Sequence, residues 1–530
     1  MNKADKNFHI NFSPFYVVIV VMLLMLIASE VQSQEVEEIV VTGAQSYETE
    51  SDPSSDITVL ESIMPEATAA GGYGSFMGYN ERGTQTIHTT MFRNGVPAND
   101  AGSGWYAFGH DFATGNEKVK IVNGPNSVLY GSGSLSGAIF ITDDLKDGSI
   151  VRIGSSTFVS HTSNGVNISY FDVDNDSVRT DNDEMDSYNN ITLKGQKEYG
   201  DWKLNVSGTT YEYDYDNCYT ASFSHSNDCV QTGTKGTLSI RNNNYTLGYT
   251  FNDAKYATQG VQTFKSGAER AYIDTRHKVG STLLGATVEY EKYSDFDQSQ
   301  ISVYSLTSFD SFDVGFRLSE DAFVYRVGHE KGDWYSSIGT SYRNPTLYEL
   351  NGDSWTQPNP TLDPEEAIGW EVGYKNFSVF NYKFSEGIDY SYVDSMFVNT
   401  GSYDTQGFRY GTDFQFERLH ITDVGLEIGY TNSDQPRIPK YKVIVSSVTD
   451  LGPFVISFRY TGLFDREPSL YDGTESLDNV SSLDYKLETV LSPNYLLSFT
   501  IRDILDNEFE YIPNYSSGGL EYFITLQYRP

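Results

Sequence analysis

The sequence predicts an all-β membrane barrel closed around a separate N-terminal domain, and three observations carry the prediction. From about residue 149 to the end, apolar and polar residues alternate in segments of about ten, the length of a tilted transmembrane strand. The chain opens on a basic and then apolar leader. Its hydrophobic content is only 38%, yet Phe, Trp and Tyr make up 14%, which suits rings working at a boundary between apolar and wet surroundings. Asp and Glu total 72 against 36 Lys and Arg, so the net charge is −36 and nucleic-acid partners are excluded by repulsion. Beyond the leader no run of about 18 apolar residues occurs, which excludes a helical membrane protein.

The leader comes first. Lys3 and Lys6 precede the apolar run FYVVIVVMLLMLIA (15–28), and Val31-Gln32-Ser33 offers a signal-peptidase site. Residues 1–33 therefore read as a Sec-type signal peptide cleaved after Ser33. The other reading, a membrane anchor, is disfavoured by length: the run rises about 21 Å as a helix against a core of about 30 Å. The mature chain leaves the cytoplasm for an oxidising compartment, so Cys218 and Cys229 are expected to form a disulfide clamping a loop, two free thiols being the other reading.

Residues 34–148 differ in character from the rest of the chain. They are rich in glycine, as in GGYGSFMG, NGVPANDAGSGWYAFG and NGPNSVLYGSGSLSG, with short β runs such as TTMFRNGV, EKVKIVNG and GAIFITDD between the turns. Too little continuous apolar sequence occurs for a large independent core. A compact mixed α/β domain able to fit inside a wide barrel is expected.

Residues 149–530 supply about twenty strands, for example GLEYFITLQYR, where Tyr522, Ile524, Leu526 and Tyr528 face one way and Phe523, Thr525 and Gln527 the other. Closure is required because lipid offers no partner to an open sheet edge. Short turns, EYGD (199–201 at its tip), NNN (242–244) and SED (319–321), are expected to alternate with long loops. Short turns belong on the periplasmic side, so the acidic stretch 172–186 and the cysteine stretch 214–234 belong outside.

Several motifs resemble those of TonB-dependent outer-membrane receptors. EEIVVTG, from Glu37 and Glu38 through Ile39, Val40, Val41 and Thr42 to Gly43, looks like a TonB box. ERGTQTIHTTMFRNGVPAND (81–100) and EKVKIVNGPNSVLYGSGSLSGAIFI (117–141) resemble the plug signatures, with Asn94 where the family has Asp. SYRNPTLYELNG (341–352), NPTLDPEEAIGWEVGYK (359–375), NTGSYDTQGFRYGTDF (399–414) and the terminal segment from residue 501 resemble barrel motifs. The resemblance implies a 34–45 TonB-box segment, a 46–148 plug and a 149–530 barrel of about 22 strands, wide enough to need the plug. It also implies a bacterial outer-membrane location among lipid and lipopolysaccharide, a monomer, and TonB with its inner-membrane energising complex as partner. β-branched residues in a tail suit strand addition to that partner. The 341–366 region looks most like the cobalamin receptor branch, although siderophore receptors share most of these motifs. SIMPEATAAGG (62–72) replaces a longer family segment, so the plug is expected to be reduced.

Import of a scarce large ligand, cobalamin or a ferric siderophore, is the expected function. Glycine-permitted turns carrying Tyr73, Phe76, Trp105, Tyr106 and Phe108, with Asp111, are the candidate ligand contacts, and packing between plug and barrel is the other reading of these rings. Asp172, Asp174, Asp176 and Asp183 approach the spacing of a calcium loop, but Ser177 stands where the turn wants Gly. A calcium site, a solvated acidic loop and a patch for lipopolysaccharide counter-ions all remain open there; no other cofactor is expected. Neither H-E-x-x-H nor G-x-S-x-G occurs, and GSGSLSG leads into a strand, so catalysis is not expected. A passive porin and an adhesin-like surface receptor are the alternatives. With only residues 34–36 before the box, a signalling receptor's extra periplasmic domain is not expected.

Overall fold

In the computed structural model, the described residues are 46–54, 56, 58–59, 68–69, 73–74, 77–106, 108–175, 186–216, 218–220, 224–416, 421–469, 474, 476–507, 510–512, 515–516 and 519–530. The expected signal peptide (1–33) and the expected TonB box (37–43) lie outside them. Among the described residues, 22 antiparallel strands close into one barrel. The first strand, Gly148–Gly154, pairs with the last, Glu521–Tyr528, so no edge faces lipid. A short strand, Met396–Thr400, adds a hairpin to the rim of Phe377–Ser391.

Alternation explains why these segments become wall. Along Glu365–Tyr374 every second residue is buried: Glu365, Ala367, Gly369 and Glu371 face the lumen while Ile368, Trp370 and Val372 face out. The last strand repeats the pattern, with Tyr522 (57% exposed) and Ile524 (55%) outward and Phe523 and Gln527 inward. Such large exposed apolar side chains fit a lipid-facing surface.

Chain direction reverses at each strand, so the turns at 200–201 and 242–244 share one end, and the loops at 176–185 and 216–228 share the other. The expected placement of SED is corrected: five strands separate it from 242–244, which puts 320–322 on the external end. Turn length misleads here because several external hairpins, 259–260 and 294–295 among them, are as tight as the periplasmic turns. The strand Val166–Asn175 also runs further than expected, taking Asp172 and Asp174 into the wall.

The lumen is filled by a five-stranded sheet in the order Ser46–Glu50, Glu117–Asn123, Gly137–Asp143, Thr89–Arg93, Val96–Pro97. Thr89–Arg93 runs parallel to Gly137–Asp143 and the other pairs are antiparallel. Its apolar centre gathers Met91, Tyr106, Phe108, Val119, Ile121, Ile139 and Ile141. A short helical turn of the plug, Ser127–Tyr130, packs against the wall.

Close seats fix the plug against the barrel. A Cβ at Gly248 would stand 2.2 Å from Val96 Cγ2, so the lumen face of the wall is cut away to receive the Val96 turn. Arg152, in the first barrel strand, donates to the carbonyls of Pro53 (3.0 Å) and Asp56 (3.2 Å) beneath three rings, Phe158, Phe171 and Phe523. Gly248→Leu fills the Val96 seat with a side chain for which there is no space. The barrel is expected to fold and remain heat-modifiable on gels while its conductance in planar bilayers rises from closed to open; an unchanged conductance would show that this seat does not hold the plug.

Candidate functional site

Two arrangements at the plug carry chemistry: a buried charge network that fixes it to the wall, and an aromatic vestibule above it.

The network grows from the sheet. Arg93 ends the strand Thr89–Arg93 and donates to both Asp111 oxygens (2.7 and 2.8 Å) and to Asp143 Oδ1 (2.8 Å). Asn94, in a left-handed turn at φ 50°, donates to Asp143 Oδ2 (2.7 Å) and accepts from the Asp143 amide (3.0 Å). Asn tolerates that backbone conformation as Asp does, and its amide can both give and receive. Tyr106 donates to Asp111 at 2.5 Å. From the wall, Lys194 reaches Glu117 at very short range and Asp143 at 3.3 Å. Glu117 also accepts from Thr114 and from Ser51, the residue that follows the edge strand Ser46–Glu50.

These groups are all buried, and burial alone would drive each acid neutral. Against burial, Arg93 and then Lys235 and Lys194 hold the Asp111 carboxyl below its usual range. Burial likewise opposes Asp143, which Arg93 and Lys194 hold well below normal. Glu117 is lowered chiefly by Lys194 against its burial. His110 moves the other way: burial first, then the charge of Lys235, push its imidazole well below its ordinary value. Its Nδ1 lies 3.1 Å from the Tyr188 hydroxyl and its ring 4.2 Å from that of Tyr211.

A second set lies across the plug. Arg82 binds Glu371 through two nitrogens (3.0 and 2.6 Å) and Tyr382 (2.9 Å), with Phe380 beneath its guanidinium. His88 meets Glu365 (3.1 Å), which also receives Arg343.

The expected ligand contacts divide. Tyr106, Phe108 and Asp111 come together inside the plug, buried, where they serve packing and charge. Tyr73 joins plug to wall, receiving from Arg502 (2.9 Å) and standing 3.1 Å from both Glu521 oxygens. Trp105 is 38% exposed at the head of the plug. Phe76 lies outside the described residues. Cys218 and Cys229 form the expected disulfide in an external loop. Asp172 and Asp174 sit on the outward face of Val166–Asn175, and Asp176 and Asp183 lie outside the described residues. Among the described residues, no three His, Cys, Asp or Glu are grouped as metal ligands would be.

Sequence reading missed the vestibule wall. Asp100 orders the 100–104 turn by accepting from the amides of Gly102 (2.9 Å) and Ser103 (2.8 Å), and Asn252 ties it to the barrel (3.0 Å). The turn presses on Tyr293, whose ring would lie 2.2 Å from a Cβ at Gly102. From Tyr293 a chain of ring contacts runs through Tyr348 and Phe397 to Tyr390 and Tyr392. On the other side Gln231 donates to Tyr211 (3.0 Å) and Tyr256 (3.3 Å). The only signal in the sequence was the surplus of tyrosine; nothing in spacing marks which rings converge.

A plugged, lipid-facing barrel with an aromatic outer mouth is the architecture of an outer-membrane receptor. The chain belongs to the TonB-dependent receptor family: the family model "TonB dependent receptor-like, beta-barrel" matches residues 46–503. Solved structures agree in fold. A variant of the ferric enterobactin receptor PfeA from Pseudomonas aeruginosa matches with TM-score 0.70 at 12% identity, covering 92% of this chain and 99% of that one. The siderophore receptor PirA from Acinetobacter baumannii matches at 0.65 and 12% identity over 92% and 100%. The copper transporter OprC matches at 0.64 and 10% identity over 94% and 100%.

Two outcomes follow from the network. Lys194→Met leaves Glu117 and Asp143 buried without their wall cation, which is expected to destabilise the docked plug by about 3–5 kcal/mol, read as a lowered urea midpoint for plug unfolding inside the barrel. A midpoint within error of the parent would remove Lys194 from the anchorage. The second outcome concerns pH. Below about pH 6.5 the unfolded imidazole of His110 takes a proton that the buried ring refuses, so plug stability falls as pH drops from about 7 to about 5. The lowered carboxylates contribute in the same direction, losing support only beneath about pH 4. His110→Gln is expected to flatten the loss between about pH 7 and 5; a parallel profile would assign it elsewhere.

Proposed function

We propose that the chain captures a scarce, large metal-chelate ligand at the Trp105 vestibule and imports it to the periplasm with energy transmitted by TonB, a ferric siderophore being the first candidate. The observation that carries this reading is the filled lumen, whose plug begins with an edge strand three residues beyond the Glu37–Gly43 segment. A passive channel has no use for such a stopper, and the outer membrane offers no nucleotide to move it. Siderophore receptors among the structures of like fold support the ligand class. Cobalamin, suggested by the 341–366 resemblance, is the comparison arm of the test. In the same reading residues 1–33 direct export, the mature monomer sits in lipid and lipopolysaccharide, TonB and its inner-membrane complex engage Ile39 to Thr42, and calcium at Asp172, Asp174, Asp176 and Asp183 is set against a solvated acidic loop in the test below.

Equilibrium titration of the detergent-folded protein with a ferric siderophore panel and cyanocobalamin, with and without calcium, tests this. A ferric siderophore is expected to saturate the protein, and Trp105→Ala is expected to weaken it about tenfold or more. Binding of cobalamin alone would transfer the assignment to that ligand; calcium-independent binding would remove the metal. Deleting residues 39–42 is expected to leave binding intact and abolish uptake by cells, whereas undiminished uptake would sink energised import.

A further inference from the structure

Charge is shared unevenly between the two ends of the barrel. The external connections are 155–156, 176–185, 216–228, 259–260, 294–295, 320–322, 344–364, 392–402, 434–438, 467–479 and 503–520. Together they carry 22 Asp and Glu against two Arg and no Lys. The periplasmic turns from 164–165 to 493–494 carry four acids and two bases. A field of this sign draws cations to the mouth and repels anions. Salt limits its reach to about 8 Å at physiological strength, so the side chains at the mouth itself decide what is held.

The vestibule repeats that sign at close range. Asp100, in the plug turn, receives only neutral donors: the amides of Gly102 and Ser103, the Ser103 hydroxyl (3.1 Å) and Asn252. Asp353 accepts through Oδ1 from the amides of Trp355 and Thr356 (both 2.8 Å), and among the described residues its second oxygen has no donor. Asp389 accepts from Gln85 at the plug head (3.3 Å). Asp100 and Asp353 both bear on the Tyr293 hydroxyl, and Asp353 also on that of Tyr348, so these acids stand beside the chain of rings. The arginines nearby are already engaged, Arg270 between Glu289 and Glu291 and Arg343 between Glu349 and Glu365. Lys235, 5.9 Å from the centre of the Tyr106 ring, sets its charge against Asp111. Ring faces are electron-rich and attract cations, so rings and carboxylates present one sign to an incoming ligand.

We propose that the vestibule selects a positively charged ligand, a metal chelate carrying a free ammonium group, held between the carboxylates of Asp100 and Asp353 and the rings of Tyr293, Tyr348 and Tyr390. The inference rests on the chelate reading above and narrows it, because it sets polyanionic catecholate chelates aside as cargo. An ammonium group meets both parts of the wall: its N–H groups donate to the carboxylates and its charge lies against the rings. A polyanion brings like charge to the same acids and finds the nearby arginines occupied.

The test is calorimetric titration of the full chain, folded in detergent, with three ferric chelates. A linear trihydroxamate with a terminal amine is the monocationic probe, its N-acetyl form the neutral twin, and a tris-catecholate the trianion. The amine-bearing chelate is expected to bind about tenfold or more tighter than its acetyl twin, with the trianion weakest. Asp100→Asn with Asp353→Asn keeps an acceptor oxygen for each turn and removes both charges. That pair is expected to shrink the preference to about twofold or less while leaving affinity for the neutral twin unchanged. Raising salt from about 20 to about 500 mM is expected to shrink it in the parent protein as well. Equal affinity for the two hydroxamates, tightest binding by the trianion, or a preference that the Asn pair leaves intact overturns the inference while the chelate receptor stands. Loss of both hydroxamates in the Asn pair would mean a disturbed turn in place of a lost charge, and also overturns it. Silence on all three chelates overturns the inference together with the chelate reading beneath it.

Discussion

Opposite charges buried at the boundary between plug and wall determine how the rest of this molecule is arranged. A wide barrel in lipid must present an apolar exterior, and strand alternation then gives it a largely polar lumen. A plug that fits such a lumen cannot dock mainly through apolar contact. It docks through Lys194 with Glu117 and Asp143, through Arg82 with Glu371, and through the wall arginine Arg152 reaching into the first plug turn. Buried pairs of this kind add little net stability over apolar packing, because desolvation offsets attraction, yet losing one partner is severe. Such a boundary is exacting about register and comparatively cheap to separate when both partners can reach water together.

The same logic orders the charge of the chain. Surplus acid is tolerated on external loops and turns, where water solvates it, while arginines are drawn inward: Arg82, Arg93, Arg270, Arg317, Arg326 and Arg343 are all buried. Inside they meet carboxylates or backbone carbonyls, as Arg317 meets those of Val128 (2.9 Å) and Leu129 (3.0 Å). The net charge of −36 thus conceals an interior wired with cations.

How much of this was legible depends on the range over which each feature is encoded. The strands were legible because alternation is local: Tyr522, Ile524 and Leu526 declare an outward face within five residues. The disulfide was legible because Cys218 and Cys229 lie only 11 positions apart in the sequence. The anchorage was not, since Lys194 and Glu117 lie 77 positions apart and Arg82 and Glu371 lie 289 apart, and nothing local marks a charge as someone's partner. The rings of 105–111 illustrate the same limit from the other side. Glycine turns with aromatics describe a binding loop and a packed plug equally well, and the tertiary fold sent Tyr106 and Phe108 inward while leaving Trp105 at the surface.

The edge strand is where the anchorage meets the N-terminal end of the described plug. Its five residues pair with Glu117–Asn123, and two exposed carboxylates of the strand add ion pairs, Glu48 with Lys120 and Glu50 with Lys146. Exposed pairs hold weakly, being solvated and screened. One residue further in, Ser51 donates to Glu117 at 2.5 Å, and Glu117 is the carboxylate that Lys194 grips from the wall. Resistance to a pull on the N-terminus therefore rises in a step between Glu50 and Ser51: first a weakly held strand, then a hydrogen bond that leads straight into the buried network. A load that stops at the strand leaves the plug docked; a load that passes Ser51 takes a donor from Glu117 and opens a route for water to Lys194 and Asp143. The geometry thus separates local release at the edge from wholesale undocking, and it does so with the same charges that set the register.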